Sequence, residues 1–251
     1  AWPGRLLVIT AGSRHDTTHI RPDTHVFDIA HASLSRMDRA NLGLLLAAAN
    51  GLVDHDREVV CITGSQEQPL DSITVTRPAA HFAAVFSEPE GHTASCIAPA
   101  VILRVLSLAI ELAAEGREAH PIGAAFVIGD TRQVIRHTQQ LVLNPFHGFA
   151  RRLRNIQDPS LTETVKEFAL IDGAFVVEAD GSIRSAGTYL TPTCRVKNLA
   201  GGLGSRHQAA AAITAETRAI AVTVSQSTGT VTLFQGGRVV LTLERAAFTR
   251  W

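Results

Sequence analysis

Leu6-Leu7-Val8-Ile9 is a short apolar run closed by Ala11-Gly12-Ser13, the pattern of a buried strand. Val26-Phe27-Asp28-Ile29 predicts a second strand. The Leu- and Ala-rich stretch from Met37 to Asn50 predicts a helix that Asn50-Gly51 stops. Glu58–Ile62 reads as another buried strand, and Ser72–Thr76 alternates like a further one. Strands interleaved with a helix predict a small α/β unit with a parallel sheet. From 77 to 96 the pattern breaks at Pro78, Pro89 and Gly91, which predicts a connector with a boundary near residue 93.

A longer helix follows. Ala98, Val101, Ile102, Val105, Ala109 and Leu112 recur at helical spacing, Arg104, Glu111 and Glu115 fall on the other face, and Gly116 ends the run. Gly123–Ile128 reads as a buried strand. Asp130 with Gln133 has the spacing of a capping box for a short helix to about Gln139, and Ser160 with Glu163 that of a second, to about Leu170. The chain then turns largely to strands: Ala174–Glu178, a two-residue Asp180-Gly181 turn, and Ser182–Ala186 returning. Ala209–Ile213 is helical, and Ile220–Ser225, Thr230–Phe234 and Arg238–Leu243 are strands parted by Thr228-Gly229 and Gly236-Gly237. The second part is thus a mixed sheet with helices.

Composition narrows the function classes. The 251 residues are 45% hydrophobic, enough for a packed core. Lys+Arg and Asp+Glu are equal at 23 each, so no global field draws the chain to DNA or to an acidic membrane. Residues 97–114 come closest to a membrane span, but Arg104 and Glu111 interrupt them. Ala1–Arg5 lacks the basic start and long apolar stretch of a signal peptide, so a soluble cytoplasmic protein is expected. Cys61, Cys96 and Cys194 are odd in number and widely spaced, which suits reduced thiols. His15, His19, His25 and His31 cluster in sequence without the paired-His-plus-Glu spacing of a zinc hydrolase. No Gly-x-Ser-x-Gly elbow is present.

Three segments carry candidate chemistry. Gly201-Gly202-Leu203-Gly204-Ser205-Arg206-His207-Gln208 runs into Ala209–Ala212. Glycines let a ligand approach the backbone, Ser205 and Gln208 have capping-box spacing, and a helix starting near Arg206 would point amide groups and a guanidinium at a phosphate. The other reading of these residues is an ordinary glycine turn before a capped helix. Asp172-Gly173-Ala174 sits between a predicted helix and a predicted strand. An Asp there needs a metal, hydroxyl or arginine partner, or is a plain Asp-Gly turn. Asn144-Pro145-Phe146-His147-Gly148, followed by Arg151, Arg152 and Arg154, is either a flap over a nucleotide or a turn beside a solvated basic face.

Together these segments resemble the diadenylate cyclase domain. The likeness spans about residues 97–251 and rests on Gly123–Asp130, Asn144-Pro145-Phe146, Lys166-Glu167-Phe168 leading into Asp172-Gly173-Ala174, and Gly204-Ser205-Arg206-His207. The first ninety or so residues are similar to the pyruvate-kinase-C-terminal-like α/β domain of soluble archaeal-type members. The resemblance implies an α/β fold with two domains, 1–92 and a cyclase domain at 93–251. It implies condensation of two ATP into cyclic di-AMP, a second messenger, with a divalent metal (Mg or Mn). It also implies a homo-oligomer with facing cyclase domains, and neither DNA nor membrane as partner. By the same resemblance Asp172 helps hold the metal and acts on the ribose 3′-hydroxyl, while Gly173 and Ala174 line the nucleotide site. Tyr189 and Leu190 pack against adenine. Gly204, Ser205, Arg206 and His207 hold the triphosphate, His207 reaching the metal, and Ser225 joins the substrate site. Gln208 stands where the family often has Arg, and Ser225-Gln226-Ser227 where many members have Ser-Glu-Glu. A nucleotide or cyclic di-AMP sensor without turnover is the alternative, favoured by Gln226; an assembly protein that binds no nucleotide is a third class.

Overall fold

The protein is described as a computed structural model, over residues 7–11, 24–29, 34–53, 57–64, 70–77, 97–116, 122–196 and 204–244. Leu6, the Gly12-Ser13 turn, His15, His19, His31, the connector from 78 to 96 with Cys96 and the boundary near 93, and Gly201–Leu203 lie outside the described residues.

Strands β1 (Leu7–Ala11) and β2 (His25–Ile29) pair in parallel, as alternating strand and helix signals predict. Helix α1 (Arg36–Ala49) follows, capped by Ser35, whose side chain accepts from the Asp38 amide. The helix ends where Asn50 and Gly51 predict, Gly51 taking φ +63°. β3 (Val59–Gly64) and β4 (Leu70–Thr76) correct the single parallel sheet expected here: they pair with each other, antiparallel, as a separate hairpin. A short connection favours this pairing, because a parallel one needs a crossover of a dozen or more residues.

Helix α2 (Pro99–Glu115) stops at Gly116, in the left-handed region at φ +61°. Glu111 departs from the expected solvent face and is buried. The reason is tertiary. Lys166 of helix α3 (Thr162–Phe168) brings Nζ to 2.8 Å from Glu115, 3.3 Å from Glu111 and 3.7 Å from Glu163. Arg104 adds a contact to Glu111 at 3.8 Å. Burial alone would lower the Lys166 pKa, but the Glu115 and Glu111 carboxylates outweigh it and hold it above the ordinary lysine value. Lys166→Met would leave Glu111 buried without its main partner, and should cost about 3 kcal/mol in urea unfolding. Adding Glu111→Gln should recover part of that loss.

The main sheet has seven strands in the order β11-β10-β9-β5-β7-β8-β6. They are β5 (Ala124–Ile128), β6 (Thr138–Gln140), β7 (Ala174–Val177), β8 (Ile183–Leu190), β9 (Ile220–Val224), β10 (Val231–Gln235) and β11 (Arg238–Leu243). Only β5 and β7 pair in parallel; every other neighbouring pair is antiparallel. Helix α4 (Ser205–Glu216) lies on the other side of the sheet from α2. Alternation within β5 divides the core: Phe126 and Ile128 join the cluster of Val101, Ile102 and Val105, whereas Ala125 and Val127 join that of Ala210, Ala211 and Ile213. Phe126 and Phe175 stack at 4.9 Å between ring centroids across the parallel pair. Leu42 and Leu45 of α1 belong to the α2-side cluster.

The three expected capping boxes do not form. Asp130 sits at φ +40°, makes no side-chain cap, and accepts from the amide of Arg218 instead. Beyond it are only a helical turn at Thr131–Val134, a 3-10 turn at Ile135–His137 and β6. At the second box Asp158, not Ser160, caps a 3-10 turn ahead of α3. At the third, the N-cap is Gly204, without a side-chain bond, so the helix starts at Ser205. A capping box requires an extended N-cap with its side chain aimed back at the first turn, and spacing alone does not supply that geometry.

Candidate active site

Strand direction assembles the site. β5 and β7 are parallel and β9 runs against β5, with Ala124 opposite Val224. The starts of β5 and β7 therefore share one end of the sheet with the finish of β9. Gly123, Asp172-Gly173 and Ser225-Gln226 are the residues that flank those strand ends. Helix α4 leads into β9 and so runs back along the sheet, which places its N-terminus at the same end. Its first-turn amides and positive dipole end face that corner.

Two residues of separate candidate motifs meet here. Arg206 Nη2 donates to Asp172 Oδ1 at 2.7 Å. The Asp172 side chain is 89% exposed and that of Arg206 28%. Gly123 completes the arrangement. A Cβ there would lie 3.0 Å from both Arg206 Nη1 and Gln226 Cβ, so a side chain would crowd the guanidinium. In the sequence Gly123 reads only as the start of a strand; a glycine immediately before a fully buried strand is the signal it offers.

Gly173 has φ +112°, and a Cβ on it would stand 2.6 Å from the Thr188 amide nitrogen and 2.7 Å from the Gly187 carbonyl carbon. Only glycine lets the Asp172 segment lie directly on β8. A polar brace stands behind that contact: Ser185 and Thr188 share a 2.7 Å hydroxyl pair, Thr188 reaches Gln140 Oε1, and Gln140 Nε2 donates to the Ala186 carbonyl. Ala174 begins β7, buried on the α4 side.

The remaining candidates are placed unevenly. Tyr189 is exposed on β8, while its neighbour Leu190 is buried in the α4-side cluster, so the two do not present one surface. Gly204 and Ser205 are exposed at the start of α4. Ser225 is engaged in the turn after β9, where its amide donates to Thr230 and its hydroxyl accepts from the Thr228 amide. His207 is buried, with its ring edge-on to Phe234 at 6.0 Å. Burial pushes its pKa below the ordinary histidine value, so the ring is neutral at neutral pH.

The segment at 144–154 does not form a free basic flap. Phe146 is buried in the α2-side core. Arg151 pairs with Glu178 at 2.8 Å and Asp180 at 3.1 Å, and Arg154 donates to the carbonyls of Phe149 and Ile183.

The residues at this corner do not fit a resident metal centre. Among the described residues no group of three or more His, Cys, Asp or Glu is poised around a common point. Asp172, the carboxylate at this corner, is engaged by Arg206, and His207 is packed against Phe234. Nor is any helix among the described residues long and apolar enough to cross a membrane.

Known proteins share this arrangement of sequence. The DAC family profile, described as DisA bacterial checkpoint controller nucleotide-binding, matches residues 111–239. A diadenylate cyclase of Methanocaldococcus jannaschii is 35% identical over 214 residues, covering 84% of this chain and 68% of that protein. A diadenylate cyclase of Haloferax volcanii is 32% identical over 211 residues, covering 84% and 77%. A crystal structure of DacA from Staphylococcus aureus overlaps 56% of this chain and 86% of its own, at 23% identity and a TM-score of 0.36. Agreement with the family profile across residues 111–239, and with two diadenylate cyclases along 84% of the chain, makes this protein a member of the diadenylate cyclase (DAC) family.

Proposed function

We propose that the protein condenses two ATP molecules into cyclic di-AMP and releases two pyrophosphates. The observation that carries this reading is the 2.7 Å pair between Asp172 and Arg206, which joins a carboxylate and a phosphate-binding fork in one corner. In each half-reaction the 3′-oxygen of one ATP bonds to the α-phosphorus of the other. The bond from that phosphorus to the β-phosphate bridging oxygen breaks, and pyrophosphate leaves with the electron pair. The hydroxyl proton passes to Asp172, which also orients the hydroxyl. Arg206 and the first-turn amides of α4 neutralise the charge that develops on the phosphates. Gly173 and Ala174 give the nucleotide access to the backbone, and Tyr189 offers a ring face for adenine. Divalent metal arrives with ATP as part of the substrate.

One site holding one ATP cannot close a two-fold ring, so two cyclase domains face each other, Asp172 of each near the opposing nucleotide. An isologous two-fold contact is the simplest arrangement. Incubating the full chain with ATP and Mg²⁺ or Mn²⁺, then identifying products by mass spectrometry, tests the reading; cyclic di-AMP and pyrophosphate are the expected products.

A second reading has its own observation. Gln226, a neutral residue, and Arg206 each come to 3.0 Å from where a Cβ on Gly123 would stand, and many family members carry a carboxylate at the Gln226 position. Tight ATP binding without product under either metal would make the protein a nucleotide sensor.

A further inference from the structure

The β3–β4 hairpin presents the wrong face to solvent. Its register sets Val60 opposite Val75 and Ile62 opposite Ile73. Alternate residues of a strand share a side and directly paired residues lie together, so these four form one continuous face. That face is open: Val60, Ile62, Ile73 and Val75 are 47%, 56%, 72% and 58% exposed, and Leu70, past the bulge, is 69% exposed. The less exposed face carries Val59, Cys61 and Thr63 from β3 and Ser72, Thr74 and Thr76 from β4. Val59 and Cys61 pack against the main core. A hairpin patterned only for its own core would turn its aliphatic side inwards and its hydroxyls outwards. Here the order is reversed, and no described residue covers the aliphatic side.

We propose that this face is a self-association surface, covered by the same face of a second copy in a two-fold contact. The flanking charges are neutralised within the chain: Arg36 pairs with Asp71 at 2.8 Å and Arg77 with Glu58 at 3.0 Å. An apolar centre with balanced flanks matches an identical face and offers nothing to an oppositely charged partner. The area is also adequate. Five such side chains expose about 500 Å² per copy, so two faces bury on the order of 1,000 Å², the lower edge of specific interfaces. The antiparallel pairing of like residues lets Ile62 of one copy meet Ile73 of the other and the reverse, which an isologous contact requires.

This contact is separate from the pairing that two-ATP chemistry calls for, because it uses β3 and β4 rather than the Asp172–Arg206 corner. Two distinct isologous contacts join pairs into larger assemblies. Association through this face needs no nucleotide and is independent of cyclase activity.

Sedimentation velocity of the full chain across a wide concentration range is the experiment. The wild type should associate, and Ile62→Lys with Ile73→Lys should reduce the mass of its assembly by half or more while the circular dichroism spectrum stays native. A wild type that is monomeric throughout, or a folded double variant with the wild-type mass, overturns the proposal. Should the double variant not fold, Ile62→Cys chains mixed in equal amounts with Ile73→Cys chains under oxidising conditions provide the decision, because position 62 of one copy meets position 73 of the other. A disulfide-linked dimer beyond the background of the natural cysteines is expected, and its absence at concentrations where the wild type associates overturns the proposal equally.

Discussion

Asp172→Asn is expected to slow cyclic di-AMP formation by about a hundred- to ten-thousand-fold, the range that a lost general base commands. Asparagine keeps the shape and a hydrogen-bonding oxygen but cannot take up the 3′-hydroxyl proton. Nucleotide affinity should move the other way. Asp172 engages Arg206 at 2.7 Å, so an incoming phosphate competes with a carboxylate for the guanidinium. Removing that charge frees Arg206. The pair is exposed on its carboxylate side and worth at most about 1 kcal/mol, so ATP should bind no worse and up to about fivefold tighter. Product quantification gives the first number and isothermal titration calorimetry with ATP the second. Full turnover in the variant would remove Asp172 from the chemistry. Weakened binding would show that Asp172 holds the nucleotide rather than restraining Arg206.

Gly173→Ala should disable the site through the backbone. A methyl group at φ +112° is strained in itself, and here it would also sit 2.6 Å from the Thr188 nitrogen. The obstruction is main chain at the start of the β7–β8 pairing, where Ala174 pairs with Thr188, and it cannot rotate aside as a side chain end can. β8 must therefore shift, and the Gln140–Thr188–Ser185 brace behind it shifts too. The cost should be about 3 kcal/mol or more in urea unfolding, with loss of product formation in the protein that remains folded. Gly204→Ala is the control. Gly204 has φ −66° and nothing within 4 Å of where its Cβ would stand, so stability should hardly change. Equal destabilisation by both substitutions would contradict the packing described for Gly173.

Much of the secondary structure was legible because its signals are local. The helical recurrence of Val101, Ile102, Val105 and Leu112 sets the buried side of α2, and all four are buried. Asp180-Gly181 turns β7 into β8, with Gly181 at φ +89°. The two motifs of the site were legible as residue types, since a carboxylate next to glycine and an arginine at a glycine-led helix start announce themselves by composition.

Signals whose meaning depends on distant residues misled. Asp130 has capping spacing, but a backbone amide 88 residues later claims its carboxylate. Glu111 looks like a surface residue until Lys166 arrives from α3 to bury and pair it. His207 reads as a ligand beside Arg206, yet helix geometry turns consecutive side chains by about 100°, and His207 meets Phe234 while Arg206 meets Asp172. β6, three residues long, is too short for any periodicity and exists because the end of β8 offers it an edge.

Local residue signals already place most strands and helices, the apolar side of α2, and the residue types available for phosphate chemistry. These depend on propensities and on spacings of two to four residues, which act between near neighbours. Packing of the whole chain sets β5 and β7 in parallel, returns β9 between β5 and β10, and so brings Asp172, Arg206, Gly123 and Gln226 to one corner. Strand order and direction arise from burying both faces of one sheet at once, a condition on the whole chain that no short window of residues contains.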